Sequence, residues 1–345
     1  MNKIKNTLFS NKPVTIDKNS IIMAIESSCD ETACAIVKGG REVLANVVAS
    51  QIKTHEEFGG VIPEIAARMH LEAVNVVVDE AFKQAGVGVN ERNKVTAFAG
   101  TVGPGLVGCL LVGMNAAKSL ALAYDKPFIG INHLNAHLAA NFIDTDLEPP
   151  FIALLVSGGH TQIIEMKSYS EQNIIGETID DAVGEAYDKV ARLIGLPYPG
   201  GPKLDKMAQE GNPFAFILPE GKVGGYNFSF SGLKTAVLRL VKSFDGKELP
   251  TADICASFQE CVSSTLYKKV KMALEERNYN QVVLAGGVAA NSEIRKKIFS
   301  LQDLGYKVFA PQMKYCTDNA SMVASAAFFF ENTFDNVNVE VFSRV

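Results

Sequence analysis

Two histidines, His133 and His137, stand four residues apart in the stretch INHLNAHL. On a helix that spacing puts both imidazoles on one face, about one turn apart. There they either share a metal ion or serve a structural or surface role. Far along the chain, Asp318 precedes an apolar run at 320–330. Its carboxylate reads either as a helix cap or as a third ligand, since two histidines and one aspartate form a common set for iron or zinc. Soon after the histidines, the apolar run 151–157 ends in Gly158-Gly159-His160 and is followed by the alternating residues 161–164. A strand, a glycine turn and a returning strand expose backbone N–H groups to a phosphate or carboxylate; the plainer alternative is an ordinary hairpin. The turn at 26–32 is dense in carboxylates and hydroxyls. It is either a solvated turn or a place where Asp30 and Glu31 handle a metal, a water or a proton beside a nucleotide phosphate.

The elements that must position these groups follow from the hydrophobic pattern. Short strands at 21–25 and 33–37 flank the acidic turn, and 43–51 reads as a third. Gly59-Gly60 and Pro63 lead into a helix from about residue 64, with Ile65, Met69, Val76 and Val77 on its buried face and His70 packed or at the surface. A strand at 95–100 enters the glycine loop 101–105 and a helix at 106–124. That loop is either an anion site at a helix N-terminus or a tight crossover. The helix carries Asn115, Lys118 and Ser119, so it reads as buried rather than membrane-spanning. A helix at 179–193 places Asp180, Asp181, Glu185 and Asp188 on its polar side, and a rigid proline–glycine segment follows at 197–202. The aromatic–serine loop 224–232 leads into a helix from residue 233. A strand at 281–285, the pair Gly286-Gly287 and a helix at 289–299 come next. Asn291 either caps that helix or hydrogen-bonds a flat ligand. One order of elements thus occurs twice, at 21–124 and 151–299, which predicts duplicated α/β lobes with a nucleotide in the cleft between them.

A chain of 345 residues is too long for one ordinary core. Its 47% hydrophobic and 21% charged residues describe a soluble folded protein. The net charge of −5 supplies no global basic field. A nucleic acid would therefore be held by local patches, of which Lys268, Lys269 and Lys271 and the run Arg295, Lys296 and Lys297 are the best, or by helper subunits. The six cysteines include no C-x-x-C pair, which predicts free thiols in a reducing compartment. Residues 1–20 have no apolar core and no arginine, and read as a flexible extension. The location expected is cytoplasmic, with the mitochondrial matrix as the minor alternative.

Beyond these features, Lys118-Ser119, Tyr124-Asp125, Pro127, Ile129, His133, Ala136, His137 and Leu138 in that spacing resemble the signature of the TsaD family. These are the tRNA threonylcarbamoyladenosine transferases, formerly described as glycoprotein endopeptidases. The likeness continues through ESSCDET (26–32), PEIAARMH (63–70), GPGLVGCL (103–110), LLVSGGHTQ (154–162), IDDAVGEAYDK (179–189), YPGGP (198–202), FSFSGLKTA (228–236), GGVAAN (286–291) and TDNA (317–320). It covers essentially all of 21–330 and is similar to the bacterial and organellar branch.

The resemblance implies an α/β fold of the two-lobed ASKHA type, as in actin and hexokinase, with an N-terminal lobe at 21–130 and a C-terminal lobe at 131–345 whose last helix packs back at the lobe interface. It implies transfer of the threonylcarbamoyl group from threonylcarbamoyl-AMP to N6 of the adenosine 3′ of the anticodon, in tRNAs reading codons that begin with A. His133, His137 and Asp318 would bind one iron(II) or zinc ion per subunit. Leu155, Val156, Ser157, Gly158, Gly159, Asp188, Gly201, Asp205 and Asn291 would hold the adenylate, or ATP or ADP in the same cleft. Asp30 and Glu31 would line the reacting centre. The implied partners are tRNA, the paralogous TsaB subunit and the TsaE ATPase in a bacterial setting, or a second copy in a homodimer; no membrane is involved. Rival readings are a small-molecule kinase of the same fold and a nucleotide-binding scaffold subunit. A metalloprotease fits poorly, because no carboxylate stands beside the first histidine as it does in H-E-x-x-H enzymes.

Overall fold

The computed structural model describes residues 14–330, 335 and 338–343. Of the extension at 1–20, residues 1–13 lie outside the described residues, while Ile16 and Ser20 are buried. The chain divides into two compact units, 1–147 with 317–345, and 148–316. This division lies beyond the expected boundary at residue 130 and assigns the last helix to the first unit. The cause is packing: that helix is almost wholly apolar and lies on strands of the first sheet.

The first unit holds β1 (Ile21–Glu26), β2 (Glu31–Lys38), β3 (Glu42–Ser50), α1 (Ile52–Glu56), α2 (Pro63–Gln84), β4 (Ala97–Gly103), α3 (Val107–Ala123), β5 (Phe128–Asn132) and α4 (His133–Ala139). The second holds β6 (Phe151–Val156), β7 (Thr161–Ser168), β8 (Glu171–Glu177), α5 (Val183–Leu193), α6 (Gly200–Ala208), α7 (Ser231–Ser243), α8 (Thr251–Arg277), β9 (Gln281–Ala285), α9 (Ser292–Phe299) and β10 (Lys307–Phe309). The last helix, α10 (Ala320–Phe329), returns to the first unit.

Each unit has one five-stranded sheet, ordered β3-β2-β1-β4-β5 and β10-β9-β6-β7-β8. In both, the first three strands form antiparallel hairpins and the last two add in parallel through helical crossovers. The duplication read from the sequence is therefore a duplication of topology, and the fold is of the ASKHA type. Central strands β1, β4, β6 and β9 are covered on both faces and read as largely apolar runs for that reason. The first core gathers Met23, Ile25, Phe82, Phe98 and Phe128. On the sheet's other face, Ala33 and Ala35 of β2 are small enough for α10 to approach through Ala320. The second core gathers Leu154, Val156, Tyr187, Phe228, Phe230 and Phe258.

Two local expectations change. The buried stripe of α2 is Ala66, His70, Val74, Val77, Val78 and Ala81, while Val76 is exposed. Phe82 closes that face, and its alanines and hydrogen-bonded histidine are what apolar counting passes over. Helix α5 begins at Val183 rather than 179, because the Asp180 carboxylate instead accepts the Phe230 N–H at 2.8 Å ahead of α7. Among the described residues no helix is long and apolar enough to cross a membrane.

Candidate functional site

Strand β5 runs into α4 through Asn132, whose side chain accepts the N–H groups of Leu134 and Asn135 and caps the helix. The cap fixes His133 at the helix start and His137 one turn on, with ring centroids 4.6 Å apart. Before α10 the cap is Asn319, which accepts the Met322 N–H at 3.2 Å. Asp318 is thus released from capping, and its Oδ1 lies 3.6 Å from His133 Nε2 and 3.3 Å from His137 Nε2. One ligand atom from each of the three falls within 4.8 Å of the others. Bonds of about 2.0–2.1 Å at tetrahedral or octahedral angles put donor atoms about 3 Å apart, so the set fits a metal ion.

Behind it stands Glu26, fully buried at the end of β1. Its Oε2 lies 3.2 Å from His133 Nδ1 and accepts the Thr101 hydroxyl at 2.6 Å, while Oε1 accepts the Ser28 N–H at 2.5 Å. A carboxylate on Nδ1 fixes the imidazole tautomer and leaves Nε2 to the metal. The sequence reading gave Glu26 no separate role. Its signal was a charged residue closing an otherwise apolar strand.

The charges are mutually dependent. Burial alone would raise Glu26, but the His133 charge and hydrogen bond bring it below the usual carboxylate range. Burial would likewise raise Asp318, and the two histidines pull it down to about 2. Burial disfavours a charged His133, yet the Asp318 and Glu26 carboxylates lift it to about 9. Asp30 and Glu31 sit on the turn beside this set, each only 9% exposed. Burial, then the Asp318 and Asp30 charges, push Glu31 up to about 9, against a 3.1 Å hydrogen bond from Ser50 Oγ. Metal-free, Glu31 therefore holds a proton at neutral pH. His70 braces the turn from α2, with Nε2 3.0 Å from the Cys29 carbonyl and Nδ1 2.7 Å from Thr32 Oγ1.

In the second unit, Leu155 and Val156 end β6 and Ser157-Gly158-Gly159-His160 form the turn into β7. The Ser157 N–H donates to the His160 carbonyl at 2.8 Å, and Ser157 Oγ accepts the His160 N–H at 3.0 Å. A Cβ added to Gly158 or Gly159 would meet nothing within 4 Å. No packing in the protein demands glycine there. The Gly184 N–H donates to the Ser157 carbonyl at 3.2 Å, tying α5 to the turn. One turn further along α5, Asp188 Oδ1 accepts the N–H groups of Gly200 and Gly201 at 2.9 and 3.0 Å. Burial raises Asp188, partly offset by those N–H groups.

One turn beyond Gly201 on α6, Asp205 accepts the Ser292 N–H at 3.0 Å and Gln259 Nε2 at 3.0 Å. Gln259 Oε1 in turn accepts Asn291 Nδ2 at 2.9 Å. Asn291 also caps α9 through the Ile294 N–H at 2.9 Å, so it is both cap and network member. The candidate adenylate residues thus lie along one connected track. Gln259, buried on α8, is the member that sequence reasoning missed.

Two other candidates have close neighbours within the chain. In the loop before α3, a Cβ on Gly105 would stand 2.7 Å from the Ser28 carbonyl oxygen, and one on Gly103 would run into Phe342. The chain itself fills that loop, which is a tight crossover. The basic clusters are engaged within the chain. Lys268 pairs with Glu220, Lys271 with Glu275, Lys296 with Glu293 and Lys297 with Glu260. Lys269 and Arg295 donate to backbone carbonyls.

A family model described as "TsaD: tRNA N6-adenosine threonylcarbamoyltransferase" matches residues 42–325. A relative of that name from Picosynechococcus sp. is 52% identical over 319 residues, covering 89% of this chain and 89% of its own. Another, from Clostridium perfringens, is 51% identical over 315 residues, covering 90% and 92%. Among solved structures, full-length HypF in a phosphate- and nucleotide-bound form superposes with a TM-score of 0.61 at 15% identity, over 92% of this chain and 47% of that one. HypF of T. kodakarensis gives 0.62 at 15% identity, over 91% and 48%. This chain spans about half the length of those proteins, and the likeness concerns the fold.

Proposed function

The chain belongs to the TsaD family of tRNA N6-adenosine threonylcarbamoyltransferases, and we propose from that premise how its residues divide the work. The enzyme transfers a threonylcarbamoyl group from threonylcarbamoyl-AMP to the adenosine N6 of tRNA. The exocyclic amine attacks the carbamoyl carbon, the bond to the phosphate oxygen breaks, AMP leaves, and the amine gives up a proton. Because the acyl phosphate is already activated, orientation and charge stabilisation are the main tasks, and no covalent nucleophile is needed.

The second unit's track holds the adenylate. The open Gly158-Gly159 turn lets a phosphate reach the backbone N–H groups, while Asp188, Gly201, Asp205 and Asn291 fix the nucleoside. In the first unit, His133, His137 and Asp318 would hold iron(II) or zinc, with Glu26 orienting His133. When bound, the metal supplies Lewis-acid stabilisation of charge on the phosphate or carbamoyl oxygen. Asp30 and Glu31 line the reacting centre, where one of the two carboxylates receives the amine proton. The observation that carries the reading is the convergence of two imidazoles and one carboxylate with no glutamate base between the histidines, which suits acyl transfer and not peptide hydrolysis. We place the enzyme in the cytoplasm, working on tRNA with TsaB and TsaE or as a homodimer.

The test incubates the purified chain with threonylcarbamoyl-AMP and unmodified tRNA, then looks for threonylcarbamoyladenosine in the digest by mass spectrometry. Product is expected, from the chain alone or on adding TsaB and TsaE. No product in either arm would sink the reading. Full turnover by Asp30→Asn would remove Asp30 as the proton acceptor.

A further inference from the structure

Gln259 lies on the buried face of α8 beside Phe258 and Val262 and is only 4% exposed. Its amide offers one acceptor oxygen and two donor hydrogens. Nε2 donates to Asp205 Oδ1 at 3.0 Å. Oε1 accepts Asn291 Nδ2 at 2.9 Å and the Tyr187 hydroxyl at 3.4 Å. The opposite orientation would set the Gln259 oxygen against a carboxylate that only accepts, and its NH2 group against the NH2 group of Asn291. The network therefore has one polarity. Asn291 cannot turn over either, because its Oδ1 is committed to the Ile294 N–H.

We propose that Gln259 is a positioning residue for substrate: it pins Asp205 and Asn291 in the one arrangement that leaves Asp205 able to accept a hydrogen bond from a ribose hydroxyl. Asp205 Oδ1 is occupied by Gln259 and by the Ser292 hydroxyl, whereas Oδ2 carries only the Ser292 N–H. A carboxylate offers about four lone-pair sites, so the remaining capacity lies on Oδ2. An acceptor-only group held in place selects a ligand that brings a hydroxyl donor. It gains nothing from a sugar lacking one, and a hydrogen bond to a carboxylate is worth enough to make that difference measurable. The inference rests on the adenylate reading of this track.

The experiment is calorimetric binding of AMP and of 2′,3′-dideoxy-AMP to the full chain, as wild type, Gln259→Leu and Gln259→Glu. Leucine keeps the bulk and removes all three hydrogen bonds. Glutamate keeps the acceptor toward Asn291 and removes the donor toward Asp205. Wild type should prefer AMP by about tenfold, one hydrogen bond's worth. Each variant should lose that preference by weakening AMP more than dideoxy-AMP, whose smaller loss reports the contact shared through Asn291. Equal loss for both ligands would mean a merely structural role and overturn the proposal, as would wild-type preference in either folded variant. Should the leucine variant fail to fold, the glutamate variant decides. Wild type binding AMP without preferring it also overturns the proposal, whereas wild type binding neither nucleotide overturns the adenylate reading beneath it.

Discussion

The turn at 27–30 and the turn at 157–160 occupy the same place in the two sheets, between the first two strands of each. Counted from the strand ends, Glu26 corresponds to Val156, Ser28 and Cys29 to Gly158 and Gly159, and Glu31 to Thr161. The first turn is buried, with Ser27 and Ser28 each 2% exposed and its acids turned into the unit. The second has two exposed glycines with no protein atom over them. The loops after the fourth strands differ in the same sense. In the first unit Ser28 and Phe342 close over Gly105 and Gly103; in the second, Gly286 is pressed against Val156 at a φ of 91° while Gly287 stays open. One backbone plan thus serves two chemistries. The filled copy presents imidazoles and acids, and the open copy presents exposed backbone at Gly158 and Gly159.

That contrast breaks most visibly at the proposed metal ligands. Asp318→Ala removes the only carboxylate of the set and leaves two imidazoles with Glu26, Asp30 and Glu31 as the nearby acids. Metal bound per chain should fall to background, and turnover should drop at least about 10²-fold, the several kcal/mol of charge stabilisation that a metal provides. AMP binding should fall by less than metal binding and turnover do, since the open turn and the nucleoside track keep their contacts. Metal analysis of the purified variant, with turnover and AMP calorimetry, checks all three. Parallel loss of metal and AMP would show that the division of labour between the copies is false.

Glycine substitutions sharpen the comparison next. Gly158→Val adds atoms where the protein has none, so stability should move by no more than about 0.5 kcal/mol. AMP affinity should nevertheless fall by about tenfold or more, a change of about 1.4 kcal/mol. Gly105→Ala should do the reverse. Its Cβ stands 2.7 Å from the Ser28 carbonyl oxygen, and such overpacking costs about 1–3 kcal/mol, with little effect on AMP. Chemical denaturation and calorimetry on the pair decide it. Equal behaviour of the two variants would remove the distinction between a filled loop and an open one.

Much of this was legible in the sequence, because the signals were local. Apolar runs gave the central strands, and the four-residue spacing of His133 and His137 gave a shared helix face. The order of strands and glycine loops gave the duplication. What escaped depends on partners far apart in the chain. Nothing near Glu26 announces His133, and nothing near Gln259, inside a long helix, announces Asp205 and Asn291. The glycines of 101–105 looked like those of 158–159, since sequence does not tell whether the space over a glycine is taken by the chain itself. The choice between cap and ligand at Asp318 turned on its neighbour Asn319, which takes the capping role.

The smallest expected effect is a pH dependence confined to the filled copy. His133 titrates at about 9 in the native chain, above an unfolded value of about 6.5. The native state therefore holds a proton that the unfolded state has lost, and its contribution to stability is whole below about pH 6.5 and gone above about 9. Glu31 has the same sign, rising from its ordinary value of 4.5 to about 9. Its favourable share is complete below the unfolded value and is lost as pH climbs to the native one. Asp318, held at about 2, works oppositely, contributing above its unfolded value of about 3.9 and fading only in strong acid. Metal-stripped protein should therefore be most stable in mild acid and lose a few degrees of melting temperature toward pH 9. Glu31→Gln, neutral at every pH, should flatten part of that slope and leave the mild-acid value nearly unchanged. Metal must displace the His133 proton, so its affinity should rise with pH over the same window. Calorimetry in two buffers of different ionisation heat should show protons released on binding. A metal affinity independent of pH would mean that His133 is not a ligand, and the filled copy would lose its claim to the chemistry.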